Sequence, residues 1–236
     1  MITKAEIKRI RSLSDKKYRE VYGLFTVEGE KLVQEAVDSG AEIEKIYYAE
    51  DIGEDTMSKI SLLASPSPAL ALVRIPRRDA PEVIGKGLYI ALDAIRDPGN
   101  MGTIIRLAEW FGIESIFASQ DCVDIYNPKV VQSTMGSIFR IPIVCTDLSL
   151  LLKSATGKTH IFGTYLKGRS IYQERLPSDA IIVMGNESNG ISPKLDKHIH
   201  FRINIPSFAA TGAGSESLNV AVAAAIVCSE FRRSAV

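Results

Sequence analysis

The sequence predicts an α/β protein: a largely parallel sheet with helices on both faces, preceded by a small α/β unit. Three observations carry that expectation. From Leu88 onward, strand-like apolar runs alternate with helical periodicity to the end of the chain, the pattern of a parallel sheet covered on both sides. Two prolines and a charge cluster interrupt the periodicity at Arg74-Ile75-Pro76-Arg77-Arg78-Asp79-Ala80-Pro81, which reads as a linker. Two late strands, 181–184 and 200–205, pass directly into polar loops, and an open α/β sheet builds its site at such strand ends. The division is placed at residues 1–78 and 79–236.

In the first segment, Ile7, Ile10 and Leu13 have helical spacing, and Ser14 or Asp15 can cap a second short helix running to Val21. Residues 24–27 form a strand. Leu32, Val33, Ala36 and Val37 mark a helix over 29–39, with Gly40 where a C-terminal cap belongs. A strand over 43–48 and a helix over 55–64 follow, then Ser65-Pro66-Ser67-Pro68 breaks the chain before a strand over 69–73. In the second segment strands are expected at 88–92, 115–118, 138–144, 161–166, 181–184 and 200–205. Helices are expected at 101–111, 128–135, 148–155 and 220–227.

Composition bounds the function. The 236 residues are 46% hydrophobic and 24% charged, which suits a folded core. No apolar run reaches the roughly 18 residues of a membrane span. Met1-Ile2-Thr3-Lys4-Ala5-Glu6 lacks the apolar core of a signal peptide, so the cytoplasm is the expected compartment. Cys122, Cys145 and Cys228 are far apart and are expected as packed thiols rather than a disulfide framework or zinc site. His198 and His200 would face one side of a strand over 198–205 with no third ligand nearby, so no metal is expected.

The formal net charge is zero, which weighs against nucleic acid as a partner. The distribution weighs the other way. Residues 1–20 carry Lys4, Lys8, Arg9, Arg11, Lys16, Lys17 and Arg19 against Glu6, Asp15 and Glu20, while an acidic stretch over 28–55 cancels the excess. Taken alone, the basic stretch is a solvated helix face.

Three constellations stand out. Asp97-Pro98-Gly99-Asn100-Met101-Gly102 is a strand-to-helix turn in which the Asn100 side chain can cap the helix, and Thr103, Arg106 and Glu109 fall together by threes. Gly185-Asn186-Glu187-Ser188-Asn189-Gly190 places a carboxylate at a strand exit. Ser192-Pro193 then opens a short helix. Thr211-Gly212-Ala213-Gly214 leads through Ser217-Leu218-Asn219 into a helix of small apolar residues. Gly212 and Gly214 match two glycines of a dinucleotide fingerprint, but the third glycine and the ribose-binding acid are missing. A nucleotide-dependent oxidoreductase is thereby disfavoured. Each constellation alone is equally an ordinary capped helix, loop or close packing.

Together they carry a resemblance. Asn100-x-Gly102-x-x-x-Arg106, Gly185-Asn186-Glu187-x-x-Gly190, and Ile205-Pro206 with Ser217-Leu218-Asn219-Val220 resemble, in order and spacing, the three motifs of the SpoU (TrmH-like) RNA ribose 2′-O-methyltransferases. The first segment resembles the ribosomal-protein-like substrate-binding domain often attached to these enzymes.

The resemblance implies a SPOUT fold with a C-terminal trefoil knot, an exception to ordinary chain topology. It also implies a homodimer and S-adenosylmethionine as cofactor, held by Gly185, Ile205 and Leu218 largely through backbone, with Thr164 at a preceding strand end. Asn100, Arg106, Glu187, Ser217 and Asn219 match catalytic and substrate-facing positions. Arg9, Arg11, Lys16, Lys17 and Arg19 become candidates for RNA phosphate. Ribosomal RNA is the expected substrate. Transfer RNA, or a non-catalytic RNA-binding SPOUT protein, is the alternative. The loop from Ser207 to Glu216 is longer than the motif usually has. Arg106 is too weak a base to take the hydroxyl proton, so its expected role is to pin phosphate and steady charge on oxygen, with Glu187 and Asn100 holding it.

Overall fold

The structure is a computed structural model and describes residues 2–81, 84–208 and 217–233. In chain order its elements are α1 (Lys4–Ser12), α2 (Lys16–Tyr22), β1 (Leu24–Glu28), α3 (Glu30–Asp38), β2 (Ile43–Tyr48), α4 (Ala49–Ile52), α5 (Glu54–Ile60) and β3 (Ala69–Arg74). After the linker come β4 (Leu88–Leu92), α6 (Pro98–Trp110), β5 (Ser115–Ala118), α7 (Pro128–Thr134), β6 (Ile143–Cys145) and α8 (Leu148–Ala155). The chain continues through β7 (His160–Ser170), β8 (Ala180–Met184), α9 (Pro193–Asp196), β9 (Phe201–Asn204) and α10 (Val220–Arg233).

Two compact units result, residues 1–77 with 124–140 and residues 78–123 with 141–236. In the first, β1, β3 and β2 form an antiparallel sheet in that order. Ile10, Leu13, Leu24, Met57, Ile60, Leu70 and Leu72 fill its core. Asp15 caps α2 through its carboxylate, accepting from Lys17 N–H at 2.9 Å.

A division at 78/79 would assign residues 124–140 to the second unit, yet this segment packs into the first. Arg19 and Asp124 form a buried ion pair, with Nε and Nη2 donating to Oδ2 at 2.8 and 2.5 Å. Gln132 Nε2 donates to the Glu28 carbonyl at 2.7 Å, and the Phe25 and Tyr126 ring centroids lie 4.8 Å apart. Helical periodicity over 128–134 gives no hint of which sheet the helix covers; only the packing decides it.

Burial also sets a pH response. The Glu28 side chain accepts hydrogen bonds from the Ser61 hydroxyl at 2.6 Å and Leu62 N–H at 2.8 Å, and the residue is buried. Desolvation raises its pKa in spite of those bonds. A carboxyl that binds its proton more tightly folded than unfolded stabilises the fold at low pH. That contribution is lost as pH rises through the raised value. The expected outcome is that melting temperature falls more steeply above the ordinary carboxylate range in the parent protein than in Glu28→Gln, as measured by thermal melts across pH.

The second unit is a six-stranded, all-parallel sheet in the order β6-β5-β4-β8-β7-β9. Phe117, Leu148, Leu152, Ile181 and Val183 are among the residues that pack its core. The chain runs outward from β4 through β5 to β6, then crosses to β7 on the other side before β8 fills the place next to β4. The order therefore reverses between β4 and β8, and the crevice beyond their carboxyl ends is where such sheets bind ligands.

Two expectations about single residues change. Cys228 is buried, with its thiol pushed up to about 12 by desolvation; Cys145, expected as a packed thiol, is exposed because β6 is an edge strand. His198 and His200 both precede β9 rather than lying in it. The His200 Nδ1 accepts from Ile161 N–H at 3.2 Å, a structural contact.

Candidate active site

At the exit of β4, Asp97 rather than Asn100 caps α6. Asp97 Oδ1 accepts from Asn100 N–H at 2.7 Å, and Pro98 occupies the first turn. An Asp directly before Pro at a helix start is a readable sequence signal. Capping by Asp97 leaves the Asn100 side chain free for other contacts.

That side chain spans two loops. Asn100 Nδ2 donates to Glu187 Oε1 at 2.7 Å, and Asn100 Oδ1 accepts from Asn219 Nδ2 at 2.8 Å. Residues 87 and 119 positions away in sequence therefore meet on one amide. Asn219 is oriented in turn by α10, whose Ala221 and Val222 N–H groups donate to its Oδ1 at 2.9 and 3.3 Å. The amide hydrogens thus point outward to Asn100.

The Glu187 turn is held as tightly. Asn186 Oδ1 accepts from the N–H groups of Ser188 and Asn189 at 3.0 and 3.1 Å, and Asn186 and Gly190 exchange backbone hydrogen bonds. A Cβ on Gly185 would lie 2.3 Å from the Gly190 carbonyl carbon. No side chain fits there, so the turn can close only with glycine.

Arg106 stands on the exposed side of α6 with Thr103 and Trp110, opposite the buried Met101, Ile104, Ile105 and Ala108. Six residues past Asn100, it lies about 9 Å further along the helix axis. Arg106 forms no hydrogen bond or ion pair among the described residues. Within this chain Glu187 and Asn100 hold each other rather than Arg106.

Thr164 donates its hydroxyl to the Val183 carbonyl at 3.2 Å, so that group is committed within the sheet. Ile205 directly follows β9 and is half-buried. Leu218 is 48% exposed beside Asn219, and Ser217 is exposed. Gly212 and Gly214, with most of the long loop, lie outside the described residues.

Of the five basic candidates in the first unit, four are on its surface. Arg9 pairs with Glu44 at 2.8 Å and lies over the Tyr22 ring. Arg11 donates to the Lys59 carbonyl at 3.2 Å, Lys16 is 3.8 Å from Glu20, and Lys17 sits over Tyr18. Arg19 is the exception. It is 2% exposed, with Nη1 donating to the Leu13 carbonyl at 2.6 Å and its remaining donors on Asp124. It cannot reach a phosphate, and its place in the basic stretch gives no warning of that.

Comparison with known proteins agrees with this geometry. The model of the SpoU rRNA methylase family matches residues 87–229, spanning all three motifs. The chain belongs to the SpoU rRNA methylase family. A second family model, the MRM3-like substrate binding domain, matches residues 4–71. The structure superposes on a TrmH-family protein from Porphyromonas gingivalis with TM-score 0.89 and 34% identity, covering 99% of each chain. It superposes on an AdoMet-bound rRNA methyltransferase from Sinorhizobium meliloti with TM-score 0.87 and 28% identity, covering 100% of this chain and 97% of that one. The Bacillus subtilis 23S rRNA (guanosine(2553)-2′-O)-methyltransferase RlmP is 28% identical over 96% of both chains. Family membership and the parallel six-stranded fold are thus established together.

Proposed function

We propose that this protein is a cytoplasmic RNA ribose 2′-O-methyltransferase that uses S-adenosylmethionine and acts on ribosomal RNA. The observation that carries the reading is the meeting of Glu187, Asn100 and Asn219 at the β4/β8 switch point. The rRNA methyltransferases among its relatives favour ribosomal over transfer RNA as substrate.

The residues present fit the cofactor. Leu218 offers exposed apolar surface next to Asn219, and the side-chain-free Gly185 brings backbone to the strand exit. Gly185, Ile205 and Leu218 would hold it, with Thr164 contributing backbone because its hydroxyl is committed. When bound, S-adenosylmethionine supplies a methyl group on a sulfonium for in-line attack by the ribose oxygen. The protein's part is placement. Asn100, locked between Glu187 and Asn219, keeps the ends of α6 and α10 and the Glu187 turn at fixed distance, which serves near-attack geometry. Ser217 lies at the same helix entrance and would face the ribose. Arg106, with no partner among the described residues, is available to bind a phosphate and to stabilise charge developing on the attacking oxygen. The hydroxyl proton leaves through a phosphate oxygen or water.

A homodimer and the C-terminal trefoil knot belong to the same reading. Trp110 on α6 and Val222 on α10 are 82% and 49% exposed on helices that pack together. In that dimer a second copy would cover these side chains.

The first test is transfer of tritiated methyl from S-adenosylmethionine to ribosomal and transfer RNA. Mapping of 2′-O-methyl sites in a strain lacking the gene accompanies it. Label in ribosomal RNA and one lost site there are expected. Label confined to transfer RNA would change the substrate. Cofactor and RNA binding without transfer would identify a non-catalytic RNA-binding protein.

RNA capture by the first unit has its own signature. Charge removal at Arg9, Arg11, Lys16 and Lys17 is expected to weaken RNA binding and flatten its dependence on salt, the slope falling by roughly one for each phosphate no longer neutralised. Cofactor affinity should stay constant in calorimetry. An unchanged salt slope would place the RNA elsewhere.

A further inference from the structure

We infer that Asp93 is a positioning residue for the reaction: from the buried end of β4 it anchors the 185–192 loop that presents Glu187 to Asn100. The inference rests on the methyltransferase reading of the site, but its structural half can be measured separately.

Asp93 is 2% exposed. Its Oδ2 accepts from Ser192 N–H at 2.6 Å, and its own N–H donates to the Met184 carbonyl at 2.9 Å. The next residue ties the other end of the loop. The Ala94 carbonyl accepts from Asn186 Nδ2 at 2.9 Å, and Ala94 N–H donates to Ser119 Oγ at 2.9 Å. Two consecutive residues of β4's exit thus hold positions 186 and 192, and Glu187 lies between them.

Two further features mark the dipeptide as more than a strand end. Ala94 has φ +55°, a left-handed conformation unfavourable for alanine that persists where its surroundings impose it. Asp93 Oδ1 and Ser192 Oγ are buried without a hydrogen-bonding partner among the described residues. A carboxylate with one oxygen unmatched is an expensive way to hold a backbone N–H if stability alone is at stake. Its other oxygen, however, accepts a short bond from Ser192 N–H, and that bond fixes the loop's return. Glu187 itself is exposed, so its position depends on these ties rather than on burial.

The test compares Asp93→Ala, Asp93→Asn and Ser192→Ala in the full-length protein. Hydrogen exchange read by mass spectrometry and steady-state methyl transfer are measured for each. In Asp93→Ala, amides of 185–192 should exchange at least tenfold faster, with peptides from β4, β5 and β8 unchanged. Its kcat should fall at least tenfold while KM for RNA stays within twofold. Asp93→Asn keeps an acceptor for Ser192 N–H and should recover kcat to within threefold of the parent. Ser192→Ala keeps the backbone donor and should match the parent within twofold.

Unchanged exchange at 185–192, or exchange raised uniformly through the sheet, would overturn the inference. So would a Ser192→Ala enzyme as impaired as Asp93→Ala. If Asp93→Ala does not fold, Asp93→Asn decides: a loss beyond tenfold shows that the charge matters and not the acceptor, which overturns it too. Should the parent protein transfer no methyl group, the exchange data still decide whether Asp93 anchors the loop.

Discussion

Arg106→Ala is expected to lower kcat for methyl transfer by about 10²–10³-fold, the cost of losing one preorganised donor to a developing oxyanion. The expectation comes from where the side chain stands. Arg106 is exposed on α6, the helix that also carries Asn100, and it has no internal partner among the described residues. Its removal should therefore leave the melting temperature nearly unchanged. Calorimetric affinity for S-adenosylmethionine should also hold. Arg106→Lys separates charge from geometry, since an ammonium keeps the charge but loses the planar fork that binds phosphate bidentately. An intermediate kcat is expected. Near-normal turnover by Arg106→Lys with RNA binding intact would show that bidentate positioning is not what matters.

The second large effect is on stability. Asp124→Ala leaves the Arg19 guanidinium buried with only the Leu13 carbonyl as acceptor among the described residues. Removing one partner of a buried ion pair costs about 3–5 kcal/mol, because the remaining charge is stranded out of water. A loss of that size is a large part of the stability of a small unit. In urea, hydrogen exchange read by mass spectrometry should therefore show peptides of the first unit opening before those of the second. Coincident opening, or a loss below about 1 kcal/mol, would mean the pair is not desolvated as the structure has it. A related outcome concerns truncation. A fragment ending at residue 77 lacks Asp124, Tyr126 and Gln132 and is expected to be less stable than the unit in the whole protein.

Much of the architecture is legible in the chain itself. Strand-helix alternation after Leu88 specifies a parallel sheet, and Asp15 announces the cap of α2. The motif residues Asn100, Glu187 and Asn219 stand out by spacing and do meet. Arg19 misleads because a basic residue in a basic stretch gives no sign of an acid 105 positions later that will bury it. Asn100 takes a task other than capping because two side chains near one helix start can both cap it, and only the backbone path shows that Asp97 does.

The sequence by itself determined most of the elements, their order and the residue types of the site, because periodicity, caps and breakers act within a few residues of chain. The strand expected over 138–144 is instead a helical turn at Ser137–Phe139 followed by the short β6. Tertiary structure alone decided that residues 124–140 complete the first unit, that Asn100 bridges Glu187 and Asn219, and that Asp93 and Ala94 hold the loop between them. Those contacts join groups roughly a hundred residues apart, and no local pattern records a hydrogen bond whose partner is supplied by another strand's end.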